Sequence, residues 1–165
     1  MEIYDCTLRE GEQAEGASFS FNDRIELCKK LDEFGVDYIE LGWPIVSDEI
    51  FSSFKTALKI VKKAKIVAFG STSMKKIPAN DDNLNSIIKS GVSYACIFGK
   101  SDEIHVQKQL KISWKENLEK IFESVKYLSS NNIEVFYDAE HYFNSFKIDK
   151  EKAIESLIYA CDGGA

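Results

Sequence analysis

Short apolar runs alternate with amphipathic segments along the chain, a pattern typical of strand–helix units repeated around a parallel sheet. The runs that predict strands begin near Glu2, Tyr38, Lys65, Tyr94 and Glu134. The interval between successive starts leaves room for one strand and one helix each time. The pattern therefore predicts five strand–helix units.

Capping residues indicate where the helices begin and end. The first predicted helix begins near Ser20 or Asn22 and ends at Gly35, since glycine suits the left-handed position that closes many helices. The second helix is predicted from about Ser47 or Asp48 to Lys63, and the third from Asp81 or Asp82 to just before Gly91. The fourth is predicted to begin at Ser113, which has the capping-box spacing to Glu116, and the fifth covers roughly 149–161.

Five units fit two α/β architectures, an open doubly wound sheet or the first part of an eight-unit barrel. Length favours the open sheet, because 165 residues fall short of the roughly 250 that an eight-unit barrel typically needs. The final Gly163-Gly164-Ala165, after a helix, is instead typical of the lead-in to another strand. We therefore expect an α/β fold made of five βα units of a truncated (β/α)8 barrel.

Composition narrows the class of protein. With 44% hydrophobic residues the chain can build a sizeable core, while a net charge of −6 argues against nucleic acid or an anionic membrane as partner. The four cysteines form no Cys-x-x-Cys pair, so neither a disulfide framework nor a zinc knuckle is predicted. There is no apolar leader and no run of the roughly 18 apolar residues that a membrane span needs. We expect a cytoplasmic protein that acts on small molecules.

The stretch from Asp5 to Gln13 places several polar side chains directly after the first predicted strand. The connection that it opens continues to about Phe21, longer than the roughly 2–6 residues usual in α/β units. Long connections of this kind tend to carry function, although a solvated loop is the alternative. We interpret the stretch as part of a site.

Polar residues also follow the other strands, where parallel α/β folds collect their chemistry. Glu40 lies inside the apolar second strand, and a buried carboxylate needs a cation or hydrogen-bond donors. Arg9 is its natural partner, either within a site or in a structural ion pair. The ends of the later strands contribute Thr72, Ser101, His105, Asp138, Glu140 and His141.

Several common kinds of binding and catalytic site lack support in the sequence. The chain has no Gly-x-Gly-x-x-Gly, no P-loop and no Gly-x-Ser-x-Gly, which leaves dinucleotide binding, nucleotide triphosphate binding and serine hydrolysis without support. What remains is a set of carboxylates with one arginine. Oxygen ligands of this kind favour magnesium or manganese over zinc or copper.

Taken together, these junctions resemble those of the acyl-CoA condensing enzymes and lyases related to isopropylmalate, homocitrate and citramalate synthases and to hydroxymethylglutaryl-CoA lyase. The nine residues from Asp5 to Gln13 resemble the family's signature after its first barrel strand. The later motifs are most similar to the citramalate synthase branch: Tyr38–Pro44, Phe69–Thr72, Phe98–Ser101 and Tyr137–His141.

The resemblance implies that residues 1–165 are the N-terminal part of a single TIM-barrel catalytic domain. The implied enzyme is an acyltransferase, which condenses acetyl-CoA with a small, pyruvate-like 2-oxo acid by a metal-assisted Claisen condensation and then hydrolyses the thioester. The implied cofactor is a divalent metal, Mg2+ or Mn2+ before Zn2+, and the implied assembly is a homodimer. A lyase that cleaves hydroxymethylglutaryl-CoA, and an inactive fragment that acts as an assembly module, are the alternatives.

Residue roles also follow from the resemblance. Glu10 is the implied metal ligand, and Arg9, Glu140 and His105 are the implied catalytic residues. Arg9 would stabilise the developing negative oxygen and Glu140 would assist proton removal from the acetyl methyl group. The implied substrate-binding residues are Gln13, Glu40, Thr72, Ser101 and Asp138, with Glu40 also holding Arg9. The chain departs from the family in having Glu10 where the citramalate branch has aspartate, Ser73 and Met74 in place of basic residues, and no His-x-His pair.

Overall fold

A computed structural model describes residues 1–165 and contains the five predicted strands. These are β1 (Tyr4–Asp5), β2 (Tyr38–Gly42), β3 (Lys65–Ser71), β4 (Tyr94–Lys100) and β5 (Glu134–Glu140). Hydrogen bonds join them in the order β1-β2-β3-β4-β5. A doubly wound flavodoxin-like sheet has the order 2-1-3-4-5, so the sequential order confirms the expected βα units of a TIM barrel.

Five α-helices lie between the strands and two more follow β5. They are α1 (Phe21–Phe34), α2 (Asp48–Ile60), α3 (Asp82–Lys89), α4 (Glu103–His105), α5 (Trp114–Ser130), α6 (Tyr142–Ile148) and α7 (Lys150–Gly163). A π-helical turn over Val106–Leu110 follows α4 directly. The five predicted helices correspond to α1, α2, α3, α5 and α7, whereas α4 and α6 were not predicted. No helix is long and apolar enough to cross a membrane.

A capping box begins both α1 and α5, of which the box of α5 was predicted. The Ser20 side chain accepts the Asp23 backbone N–H, while the Asp23 carboxylate accepts the Ser20 backbone N–H. Helix α1 then ends at Gly35, whose φ of 95° lies in the left-handed region that glycine adopts without strain. Ser113 and Glu116 form the second capping box, at the start of α5. Local sequence therefore fixes where these helices begin.

The chain forms two compact units, residues 1–70 with 85–96 and residues 71–84 with 97–165. In the first unit every residue of β2 is buried, as expected for a strand covered on both faces. Its core includes Leu8, Ile39, Leu41, Phe54 and Val67, and the core of the second unit includes Val106, Ile121, Val125, Leu128 and Ala153.

Candidate functional site

Arg9 and Glu40 form an ion pair in the first unit, as their positions in the sequence predict. Arg9 Nε donates to Glu40 Oε1 over 2.5 Å, and the Glu40 side chain is only 1% exposed. Burial acts to lower the pKa of Arg9, but the hydrogen bond and the charge of Glu40 outweigh burial, so this pKa lies above its ordinary value. Arg9 is therefore a permanent cation with a fixed Nε edge.

Two further contacts restrain the Arg9 guanidinium. Its Cζ atom lies 3.9 Å from the centroid of the Phe69 ring, a cation–π contact. The Trp43 ring packs on Phe69 edge to face, with the ring centroids 5.8 Å apart. Arg9 Nη1 pairs with the Glu10 carboxylate, whereas Nη2 makes no hydrogen bond. The Nη2 edge is thus the donor that Arg9 can offer to a ligand.

The second oxygen of Glu40 accepts a hydrogen bond from Tyr4, which was not predicted as a site residue. The Tyr4 hydroxyl lies 2.5 Å from Glu40 Oε2. Burial raises the pKa of Tyr4 far above its ordinary value, and Cys96 and Glu40 raise it further. Burial likewise raises the pKa of Cys6, next to the same carboxylate. Both groups therefore remain protonated at neutral pH.

Arg24 is a second residue that the sequence analysis missed. It is 1% exposed, and its Nη1 atom donates to the carbonyl oxygens of Leu8 and Leu41 over 3.1 Å each. Its Nη2 atom pairs with Glu12. Arg24 thus ties the connection after β1 to the end of β2. The sequence contained one indication that Arg24 is buried. Arg24 lies one helical turn before Cys28, on the apolar face of α1.

Glu10, the predicted metal ligand, is the most exposed of the three glutamates that Arg9 and Arg24 contact. Its side chain is 55% exposed and its carboxylate contacts Arg9. Nowhere in the structure do three or more His, Cys, Asp or Glu side chains gather in a way that could hold a metal ion. Residues 1–165 therefore do not by themselves fit a divalent cation. Gln13, predicted to bind substrate, is exposed on the short 3-10 turn Gly11–Gln13.

In the second unit Glu140, the predicted proton acceptor, is paired with Lys100. Glu140 Oε2 lies 2.6 Å from Lys100 Nζ, and Oε1 lies 3.6 Å from His141 Nε2. Lys100 ends β4 and Glu140 ends β5, so the pair joins the carboxyl ends of two neighbouring strands. Lys100 lies within the motif Phe98–Ser101 but is not among the predicted site residues.

The two histidines of the chain lie together. The His105 and His141 rings meet edge to face with centroids 4.1 Å apart. Both line a cleft of about 420 Å3, together with Asn144 and Lys147. His105 Nδ1 is buried without a hydrogen-bond partner. The structure thus brings His105 close to Glu140 through His141, although the catalytic role of His105 stays a prediction.

The remaining predicted residues of the second unit differ in exposure. Thr72 is 7% exposed, and its backbone N–H donates to the Phe98 carbonyl oxygen over 2.9 Å. Ser101 is fully buried, and its hydroxyl oxygen accepts a hydrogen bond from Ser156 on α7. Asp138 is exposed on β5. The substrate-binding roles of these three residues stay predictions.

Comparison with known proteins identifies relatives of the whole described chain. The family described as HMGL-like matches residues 1–165. The chain is 46% identical to an (R)-citramalate synthase of Sulfolobus acidocaldarius over 167 aligned positions, which are 100% of this chain and 32% of that enzyme. It is 33% identical to a 2-isopropylmalate synthase of the same organism, covering 100% of this chain and 40% of that protein. The chain thus spans about a third of the length of this citramalate synthase and of two others that it matches.

Among solved structures, an HMG-CoA lyase from Bacillus subtilis superposes with a TM-score of 0.71. The alignment covers 99% of this chain and 55% of the lyase, at 17% sequence identity. At this level of identity the likeness concerns the fold alone.

Proposed function

Because the chain belongs to the HMGL-like family over residues 1–165, we propose that the complete protein condenses acetyl-CoA with a small 2-oxo acid such as pyruvate. The proposal is supported by relatives named (R)-citramalate synthase and 2-isopropylmalate synthase. We further propose that these residues are the N-terminal part of one TIM-barrel catalytic domain.

The fixed guanidinium of Arg9 is the observation that carries the proposal. In a Claisen condensation the enolate of the acetyl group attacks the ketone carbon of the 2-oxo acid. A carbon–carbon bond forms and the ketone oxygen becomes an alkoxide. A donor held in place before the reaction stabilises that charge without reorganisation. Arg9 meets this requirement because Glu40 and Phe69 restrain it while its Nη2 edge is free.

Glu140 would remove a proton from the acetyl methyl group. Its side chain is 34% exposed, and Lys100 Nζ lies 2.6 Å from its Oε2 atom, which fixes the direction of the carboxylate. The product thioester is then hydrolysed, which makes the condensation irreversible. The family resemblance also implies a divalent cation. Glu10 would supply one carboxylate ligand, and the remaining ligands would have to come from outside residues 1–165.

The proposal is tested with the complete gene product that contains this sequence. Acetyl-CoA is supplied with pyruvate, 2-oxoisovalerate or 2-oxoglutarate in the presence of Mg2+ or Mn2+, and release of the CoA thiol is measured with a thiol reagent. We expect release with at least one 2-oxo acid, and the new carbon–carbon bond is identified by mass spectrometry of the product. No release with any of them would overturn the proposal. Cleavage of hydroxymethylglutaryl-CoA without condensation would indicate the lyase instead.

The variant Arg9→Lys keeps the positive charge but loses the planar fork of donors. We expect kcat to fall about 100-fold, comparable with the loss of an oxyanion-stabilising donor. Lys115→Ala is the matched control, since Lys115 is 83% exposed on α5, and its kcat should equal that of the wild-type protein.

A further inference from the structure

We propose that Tyr4 is a positioning residue of this site, whose hydroxyl fixes the Glu40 carboxylate and, through it, the direction of the Arg9 guanidinium. The inference rests on the proposed function for its catalytic consequence. The geometry on which it stands lies wholly in the first unit.

The Glu40 carboxylate is held at both of its oxygens. Oε1 accepts from Arg9 Nε and Oε2 accepts from Tyr4 Oη, each over 2.5 Å. The side chain is 1% exposed, so bulk water cannot replace either donor. With both oxygens bonded, the plane of the carboxylate is set. Loss of the Tyr4 donor would leave a buried oxygen unsatisfied, which proteins avoid by turning the group towards another donor.

Tyr4 derives its own position from the sheet. In β1 it pairs with Tyr38 of β2, and the two rings stack with centroids 5.9 Å apart. Tyr38 packs in turn on Tyr94 of β4, edge to face at 5.7 Å. The hydroxyl of Tyr4 is thus anchored by three strands of the sheet.

Arg9 lies outside the strands, and its backbone N–H donates to the Cys6 carbonyl oxygen over 3.1 Å. It lies on the polar connection after β1, where Thr7, Glu10 and Gln13 are all exposed. A residue on such a connection gains a defined direction from the groups that its side chain contacts. Glu40 supplies that direction, and Tyr4 determines how firmly Glu40 can hold it. Because its pKa is raised, Tyr4 remains a donor over the whole neutral pH range.

The test uses Tyr4→Phe in the complete gene product, since phenylalanine keeps the stacked ring and removes only the hydroxyl. We expect kcat to fall about tenfold, the effect of losing one hydrogen bond to a charged group, with KM for acetyl-CoA within about twofold of the wild-type value. Tyr94→Phe is the matched control, because Tyr94 belongs to the same aromatic cluster, and its kcat should be unchanged. Unchanged kcat in Tyr4→Phe, with an active wild-type protein, would overturn the inference.

A double-mutant cycle with Glu40→Gln separates positioning from a general structural effect. If Tyr4 acts through Glu40, the double variant should be no slower than Glu40→Gln alone. Independent, multiplicative effects on kcat would contradict the inference. Should Tyr4→Phe fail to fold, Tyr4→Gln, which can still donate, is compared with Tyr4→Leu, which cannot, and only the glutamine variant should retain activity.

A second readout does not depend on activity. The Arg9 Nε–H is enclosed in the bond to Glu40 and should exchange slowly with solvent in the wild-type protein, as followed by NMR. In Tyr4→Phe its exchange should be at least about tenfold faster. Equal exchange rates would overturn the inference even if the wild-type protein condensed no 2-oxo acid, in which case the proposed function would fail separately.

Discussion

Arg24 Nη1 donates a hydrogen bond of 3.1 Å to the carbonyl oxygen of Leu41, at the end of β2. The same atom donates to the carbonyl oxygen of Leu8 over 3.1 Å. One buried guanidinium therefore ties the segment that carries Arg9 to the strand that carries Glu40. The Arg9–Glu40 ion pair thus depends on a third residue, which makes no hydrogen bond to either member.

Replacement of Arg24 by methionine should strongly destabilise the protein. The substitution leaves the Leu8 and Leu41 carbonyl oxygens without their buried donor, and Glu12 without its partner. We expect the free energy of unfolding to fall by about 3 kcal/mol, measured by urea denaturation. Lys29→Met is the control on the same helix, because Lys29 is 46% exposed and pairs only with Glu26. Equal midpoints for the two variants would show that the Arg24 hydrogen bonds do not stabilise the fold.

Replacement of Asp32 by asparagine should destabilise the protein in a pH-dependent way. The Asp32 carboxylate accepts the backbone N–H groups of Lys62, Lys63 and Ala64 over 2.7 to 3.0 Å. Burial acts to raise the pKa of Asp32, but these hydrogen bonds outweigh it and hold the pKa below its ordinary value of 3.8. A depressed pKa means that the carboxylate stabilises the fold at pH values above 3.8 and loses this effect as the pH falls below it.

At pH 7 we therefore expect Asp32→Asn to lower the free energy of unfolding by about 1 kcal/mol, because partial solvent screening weakens the hydrogen bonds to this charge. The difference from the wild-type protein should shrink as the pH approaches 3, as measured by urea denaturation at each pH. The neighbouring, exposed Glu33 provides the control variant Glu33→Gln. A difference that stays constant from pH 7 to pH 3 would contradict the assignment.

Replacement of Gly99 by alanine should destabilise the protein through overpacking. An added Cβ would lie 2.8 Å from Tyr137 Oη and 3.1 Å from Thr72 Cγ2, closer than such atoms normally approach. We expect the thermal midpoint to fall, with a loss of about 1–3 kcal/mol in unfolding free energy. Gly11→Ala is the control, since its added Cβ would meet only Thr7 Cγ2, at 3.5 Å. If both variants melt at the wild-type temperature, the packing around Gly99 accommodates the added Cβ and the prediction is wrong.

Replacement of Glu140 by glutamine should lower the rate of the proposed reaction. The amide cannot accept a proton, so we expect kcat to fall about 100-fold, the usual contribution of a general base, while the KM for the 2-oxo acid changes little. Glu134→Gln is the control at the exposed start of the same strand. A kcat for Glu140→Gln within a few-fold of the wild-type value would exclude the proposed role.

The strand–helix order, all five strands and the capping box of α5 could be predicted because each depends on local sequence. Apolar periodicity marks the strands, and the Ser113–Glu116 spacing marks the start of α5. The predicted strand start at Glu2 was two residues early, because β1 begins only at Tyr4. The predicted end of α2 at Lys63 was also wrong. That helix ends at Ile60 because Asp32 captures the backbone N–H groups that follow it.

The sequence predicted a contact of the candidate site only where two opposite charges had to pair. Arg9 and Glu40 could be paired because a carboxylate inside an apolar strand requires a partner. The sequence did not identify three further residues of the site, Tyr4, Arg24 and Lys100. Tyrosine, arginine and lysine are common in ordinary strands and helices, so their presence alone indicates no function. The oxygen atoms to which their side chains bond are determined by the tertiary structure, which the local sequence does not reveal. Helices α4 and α6 are too short to give a periodic signal, and tertiary packing decides their conformation.

The pairing of β2 with β3 shifts between Glu40 and Gly42, so that Leu41 is an extra residue opposite β3. A bulge of this kind separates the register of a strand on its two sides. Glu40 keeps the register in which β2 begins its pairing with β3, whereas Gly42 pairs in a register shifted by one residue. The turn over 43–47 follows Gly42 in this shifted register. Chain-length changes in that turn can therefore be absorbed without moving the carboxylate that anchors Arg9.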